Sequence, residues 1–354
     1  MKKIGILTIH SDYNYGAVLQ AFALTSFLKG KGYDAKIIDY VKVPNYVRPL
    51  PFPLNIAYKI FELPQAIKYR RFLKKLLSPV RYNSENEILS GFKEDYDVLV
   101  SGSDQIWNPA CGGLKKINPV YYLSFASDKY KKVAYASSIG SYVFNKNEQD
   151  TIRPWLEAYT HLSTRELAGA KQLESFVNRK FQVVLDPTLL LSKEQWKPLA
   201  HKVKVKNPYV LIYYFDTLDE VAAYARKIAD KKGWKVVLMT NQFKKHSNVD
   251  INIPYIGPAE FLYLFMNANY IVTNSFHGTA FSVNFNKNFI SVVKQNSPQR
   301  QQTLLQNVGL SERLLSDISQ LEDLSIEVDF TDANIKLGKL REDSISYLLN
   351  AIDN

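Results

Sequence analysis

The sequence predicts an α/β protein built from two Rossmann-like domains facing across a cleft. Three observations carry that expectation. At 354 residues the chain is longer than one hydrophobic core ordinarily serves, so two domains are expected. Short apolar runs of strand length alternate with helix-length stretches over residues 1–190, and the alternation starts again over 191–331. Several of the strand-like runs end in small or polar residues, and open parallel sheets bind ligands at the carboxyl ends of their strands.

In the first half, residues 4–9 form an apolar strand, 17–28 a largely apolar helix that stops at Gly30 and Gly32, and 35–39 a second strand. This βαβ opening requires a parallel pair with a right-handed crossover. Residues 43–92 then break the rhythm. Pro44, Pro49, Pro51 and Pro53 mark an extended start, and 56–80 resembles a helical hairpin. Its basic run of Lys68, Arg70, Arg71, Lys74 and Lys75 is interleaved with Ile67, Phe72, Leu73, Leu76 and Leu77. Such a stretch is either a solvated surface helix or a peripheral membrane contact. Strands resume at 97–101 and 132–137, then at 161–164 and 182–185 around a helix at 166–178. Asp186-Pro187-Thr188 ends the half, and 189–196 links it to the next.

In the second half, strands are expected at 209–215, 235–239, 270–273 and 289–293, with helices at 221–232, stopped by Gly233, and at 259–266. A final helix over 332–352, with Asp332 or Asn334 near its start, is expected to pack back on the first half. The first domain is therefore 1–190, with the basic insertion around 43–92 and completion by helix 332–354. The second is 191–331.

Composition narrows the function. Lys and Arg outnumber Asp and Glu by 45 to 34, which favours an anionic partner. No nucleic-acid-binding motif accompanies the charge, so no nucleic-acid partner is expected. The single cysteine, Cys111, leaves no disulfide framework and no Cys-rich metal site, which fits a reducing cytoplasm. The amino-terminal apolar run of about six residues ends in a polar turn and reads as a strand rather than a signal peptide. No run approaches the roughly 18 apolar residues that cross a bilayer. There is no G-x-G-x-x-G after the first strand, no Walker motif and no spaced cluster of metal ligands, so neither cofactor nor metal is expected.

Candidate residues gather at the strand ends. Of the five histidines, only His10 and His277 sit at a strand end followed by a polar turn. Residues 273–282, TNSFHGTAFS, leave a short strand and open a helix, whose unpaired N–H groups and dipole attract an anion. There His277 and Ser275 either cap the helix, or His277 gives and takes a proton. Residues 97–109 end a strand in Ser101-Gly102-Ser103-Asp104-Gln105. Asp104 either caps a short helix or faces a ligand, and Trp107 offers a face suited to stacking on a sugar or base. Arg165 opens a helix against its dipole. It either pairs with an acid such as Glu166 or presents a fork to a carboxylate or phosphate. Arg300, after Pro298 in a Gln/Asn-rich loop, is either a further anion ligand or an exposed side chain.

Taken in order, SDYNYGAVLQAFAL (11–24), VSGSDQIWNP (100–109), VAYASSIG (133–140), STRE around Arg165, VVLDPT (183–188), TNSFHGTAFS (273–282) and the segment 297–313 resemble the polysaccharide pyruvyl transferase family. Each piece alone is weak; their order along most of the chain is specific. The resemblance implies a GT-B-like fold. It also implies transfer of pyruvate from phosphoenolpyruvate, as a ketal, to a sugar of a capsular, exopolysaccharide or lipid-linked oligosaccharide precursor. His277 and Arg165 are then the expected catalytic residues, and Asn274, Ser275, Gly278, Thr279 and Arg300 the donor-binding ones. Asn14, Tyr15, Gly16, Ser103, Asp104 and Trp107 are expected on the acceptor side. Several family members carry an arginine close before the histidine. Here Asn274-Ser275-Phe276 stands in that place, and Arg300 or Lys294 is the expected replacement. Two alternatives are a GT-B-like glycosyltransferase using a nucleotide sugar and a non-catalytic glycan-binding protein. The first lacks an acidic residue close behind Thr273 for the ribose hydroxyls.

Overall fold

The computed structural model describes residues 1–11, 13–41, 54–111, 116–215, 218–240, 245–293, 298–317 and 327–354. It divides into two compact units. One comprises Met1–Asn55, Leu73–Leu190 and Lys339–Asn354, the other Ile56–Phe72 and Leu191–Gly338. Pro44, Pro49, Pro51, Pro53 and Lys294 lie outside the described residues.

The first unit opens with β1 (Lys3–Leu7), α1 (Tyr15–Gly30) and β2 (Asp34–Tyr40). Next along the chain comes α2 (Leu54–Leu73), most of which belongs to the other unit, and the first unit resumes with β3 (Leu77–Tyr82), α3 (Glu85–Gly91), β4 (Val98–Ser101) and β5 (Lys131–Ala134). α4 (Lys146–Glu157), β6 (Ser163–Thr164), α5 (Leu167–Glu174) and β7 (Gln182–Val183) complete the run. The sheet is parallel with strand order β3-β2-β1-β4-β5. β6 pairs with β7, and single bridges from Val133 to His161 and from Ser137 to Thr164 carry the parallel array onward. Strands covered on both faces need continuous apolar runs rather than alternation, which is what KIGIL and VLVS supply. α1 is buried over most of its surface, so it shows no polar stripe.

The second unit repeats the plan. It runs α6 (Lys193–Trp196), β8 (Tyr209–Tyr213), α7 (Asp219–Lys232), β9 (Lys235–Thr240), β10 (Ile251–Pro254), α8 (Pro258–Asn267) and β11 (Tyr270–Thr273). Then come α9 (Phe276–Asn284), β12 (Phe289–Val292), α10 (Gln299–Val308), β13 (Leu314–Leu315) and α11 (Thr331–Asp353). Its sheet is parallel in the order β10-β9-β8-β11-β12-β13. Each unit thus lays its strands third, second, first, fourth, fifth, the doubly wound order. The switch point falls between β1 and β4 in one unit and between β8 and β11 in the other.

Residues 56–80 differ from expectation in two respects. They form one helix and a strand, not a helical hairpin: β3 is an edge strand, where Pro79 withholds no hydrogen bond from a neighbour. The helix also belongs to the second unit rather than forming an insertion in the first. Gln65 Nε2 donates to Ile256 O at 3.1 Å, and Lys68 Nζ lies 2.8 Å from Glu260 Oε1. These are polar long-range contacts, which local hydrophobic spacing does not report. No helix among the described residues is long and apolar enough to cross a membrane.

The carboxyl-terminal part of α11 is tied to the first unit by polar contacts. Ser344 Oγ accepts from Leu185 N at 3.0 Å, and Tyr347 donates to Ala134 O at 3.0 Å. Arg341 Nε donates to Leu189 O at 2.7 Å. Replacing Ser344 with Ala strands the buried Leu185 N–H. It is expected to lower unfolding free energy by about 1–3 kcal/mol in urea titrations, whereas an unchanged midpoint would mean the contact is dispensable.

Candidate active site

In the second unit the site grows from the end of β11. Thr273 turns its hydroxyl back to Tyr213 O, 2.7 Å away on neighbouring β8, and receives Ser275 N at 3.1 Å. Asn274 Oδ1 accepts from Phe215 N at 3.0 Å, which binds the loops after β8 and β11 together at the switch point. Ser275 is the N-cap of α9: its Oγ accepts from Gly278 N at 3.3 Å. Thr279 Oγ1 donates to Ser275 O at 3.0 Å and lies 2.9 Å from Ser291 Oγ on β12. Gly278 is required for the close approach of helix to strand, because a Cβ there would overlap the Thr273 hydroxyl.

His277 is therefore the second residue of a capped helix at the carboxyl edge of the sheet, and it is buried. Its ring meets the Phe276 ring edge-on at 5.1 Å between centroids. Arg300 Cζ lies 5.7 Å from the centroid of that same Phe276 ring. Arg300 is not in a loop, as its Gln/Asn-rich surroundings imply, but in the first turn of α10. That helix is also anchored to the motif by Gln301 Nε2, which donates to Asn274 O at 3.1 Å. One unit thus gathers Asn274, Ser275, His277, Gly278, Thr279 and Arg300. Phe276, one of the three residues in the neighbourhood where an arginine is expected, is the ring over which Arg300 lies.

The first unit treats its candidates differently. The Arg165 side chain is only 1% exposed and sits among three carboxylates. Nη1 donates to Asp186 Oδ2 at 2.7 Å and to Ser103 Oγ at 3.3 Å, Nη2 to Asp104 Oδ1 at 3.2 Å, and Nε lies 3.9 Å from Glu166 Oε2. Burial alone would lower the Arg165 pKa, but Asp186, Asp104 and Glu166 outweigh it and raise the pKa. Ser103 Oγ donates to Asp186 Oδ2 at 2.8 Å, and Thr188 donates to Asp186 Oδ1 through both its N–H and its hydroxyl. Thr8, just past β1, donates to Ser103 O at 2.6 Å, and Gln20 of α1 donates to Thr8 Oγ1 at 2.9 Å. The network joins the ends of β1, β4, β6 and β7.

These contacts show where the fold places the candidates of this unit. Arg165 holds its own unit's carboxylates. Ser103 and Asp104 are buried members of the same network, and Asp104 takes positive φ (77°) in the turn after β4. Trp107 is core: it stacks on Tyr122 at 5.6 Å and donates Nε1–H to Tyr121 O, so it shows no face to a sugar. Asn14 is the N-cap of α1, accepting from Gly16 N and Ala17 N, and Tyr15 and Gly16 are buried in that helix. His10 is committed too, with Nδ1 3.1 Å from Thr8 O and Nε2 3.1 Å from Asp39 Oδ1. Asp186, within VVLDPT, is the hub of the network. An acid directly before proline at a strand end was the signal available. Among the described residues no group of three or more His, Cys, Asp or Glu is arranged to hold a metal ion.

The fold these units define is of the GT-B type. The chain is similar to the UDP-GlcNAc 2-epimerase from Methanocaldococcus jannaschii (15% identity, TM-score 0.54, covering 97% of this chain and 92% of that one). It is also similar to a putative UDP-N-acetylglucosamine 2-epimerase from Listeria monocytogenes (8%, 0.56, 98% and 90%). A third is an alpha-glucosyltransferase solved in complex with UDP and DNA (9%, 0.52, 99% and 99%). At these identities the likeness is one of fold. No curated protein sequence matches the chain. The polysaccharide pyruvyl transferase family model matches residues 14–295, most of the chain's length, and the chain belongs to that family of transferases. The matched span includes Arg165, Asp186 and His277 and ends before Arg300.

Two measurements test this division of labour. Arg165→Met leaves three buried carboxylates without their cation and is expected to lower stability by about 3–5 kcal/mol, against no change for a ligand-binding arginine. Gly278→Ala forces α9 away from β11 and is expected to cost about 1–3 kcal/mol; thermal melts of the two variants beside the parent give both answers.

Proposed function

We propose that this chain transfers pyruvate from phosphoenolpyruvate to a pair of hydroxyls on a saccharide, forming a ketal on a capsular, exopolysaccharide or lipid-linked oligosaccharide precursor. The observation that carries the reading is the grouping of His277, the amino end of α9 and Arg300 around Phe276. The donor has two anionic groups, a phosphate and a carboxylate, close to one carbon that must be protonated. A helix amino end and an arginine are two separate anion ligands, and the histidine in that helix's first turn is a proton carrier.

In this reaction His277 delivers a proton to C3 of the donor, and C2 takes on cationic character. The first sugar hydroxyl adds its oxygen to C2 and releases its proton, which restores the proton taken up at C3. The second hydroxyl adds to C2 as the C2–O bond to phosphate breaks, and its proton leaves with the phosphate. Arg300 and the helix dipole hold the anionic oxygens throughout, so charge develops beside groups that are already oriented. Arg165 acts as a positioning residue that fixes the loops after β4, β6 and β7. We assign this reaction to the cytoplasmic side, in keeping with the single cysteine.

The test is release of inorganic phosphate from phosphoenolpyruvate, which is expected only when an acceptor saccharide is present. His277→Ala is expected to lower kcat about 10²–10⁴-fold. Arg300→Ala is expected to raise the donor KM more than it lowers kcat. Thermal stabilisation by phosphoenolpyruvate and not by UDP-sugars is expected as well. Full turnover in the His277 variant, or stabilisation by UDP-sugars alone, would overturn the reading.

A further inference from the structure

The outward face of α2 is apolar where a solvated helix is normally polar. Ile56, Ile60, Leu63 and Ile67 are 49%, 61%, 59% and 42% exposed. Their spacing of four, three and four residues sets them on one stripe, within an arc of about 60° at about 100° per residue. The helix is not simply turned the wrong way, because its packing face is occupied. Gln65, Tyr69 and Leu73 are buried, and the Gln65–Ile256 and Lys68–Glu260 contacts anchor that side. The isoleucine stripe is a second apolar face, roughly opposite the first.

Its charge surroundings identify the occupant. Arg70 and Arg71, in the last turn, fall on the two flanks of the stripe, and Lys74 and Lys75 follow directly; all four are exposed. A second copy of the chain docked here about a two-fold axis would offer these cations only the apolar stripe Ile56, Ile60, Leu63 and Ile67, with no acidic side chain on it to meet them. A bilayer with anionic headgroups suits both parts of the face. Apolar side chains enter the boundary between headgroups and acyl chains, and arginine and lysine meet lipid phosphates. The chain's net charge of +11 has the same sign.

We propose that α2 docks the protein on an anionic lipid bilayer, lying in the plane of the interface with Ile56, Ile60, Leu63 and Ile67 inserted. The proposal does not rest on the transfer chemistry above, and no residue assigned to that chemistry lies on α2.

Flotation of the full chain with phosphatidylcholine vesicles, with and without phosphatidylglycerol, tests it. Binding is expected only with phosphatidylglycerol and is expected to weaken at about 0.5 M salt. Arg70→Gln and Arg71→Gln are each expected to weaken it about fivefold. Ile60→Ser combined with Leu63→Ser is expected to weaken it roughly tenfold or more, with melting temperature and phosphate release in solution unchanged. The proposal fails if the parent protein ignores phosphatidylglycerol vesicles, or if the serine double variant binds them as well as the parent. It also fails if the serine substitutions convert a sedimenting dimer to a monomer while vesicles are ignored, since the stripe would then be a self-association face.

Discussion

Parallel pairing is the constraint from which the candidate site follows. Strands that all run one way put all their carboxyl ends on one edge, and every connection must return across a face of the sheet. Where the strand order reverses, adjacent loops leave in opposite directions and a gap opens between them. In the second unit that point lies between β8 and β11. The hydrogen bonds from Phe215 N to Asn274 and from Thr273 to Tyr213 O close its floor. Capping by Ser275 and the missing side chain of Gly278 then let α9 start directly above the strand end, so that backbone geometry sets His277 at the edge.

The first unit meets the same constraint with charge. The loops after β1, β4, β6 and β7 converge, and what fills their meeting point is one guanidinium with three carboxylates, three hydroxyls and an amide side chain nearby. A buried charge in such a place must be matched closely, because a missing partner leaves a desolvated ion. Asp186 is the best-satisfied member: it accepts from Arg165, Ser103 and Thr188. The unit's strand ends are thus locked to one another, whereas the second unit's motif is built from caps and turns.

Much of the fold was legible in the sequence because parallel strands are written as unbroken apolar runs. Strand-length runs at 4–9, 209–215 and 270–273 and the amphipathic stretch at 221–232 all became elements within a few residues of their expected bounds. What escaped was set by partners distant in sequence. The basic residues around 68–75 look alike whichever unit they join, and partners as distant as Ile256 and Glu260 decide it. Trp107 reads as a stacking face until Tyr121 and Tyr122 enclose it. Arg165 offers the same local pattern as a ligand or as a strut, and the choice rests on Asp186, 21 residues on. Arg300 was legible as a candidate, but the glutamine-rich stretch around it concealed a helix whose Gln301 bonds to the motif.

The fastening of α11 bears on how the chain is made. Leu185 finds its hydrogen-bond acceptor 159 residues further along, and Ala134 its donor 213 residues further along. A ribosome delivers those partners only after the whole second unit has been synthesised. The first sheet therefore assembles early but stands with one flank uncovered while the later residues emerge, and domains folding in order of synthesis expose such surfaces to aggregation or chaperone capture. α11 thus makes completion of the first unit wait for residues that follow the second, although most of its own residues come first.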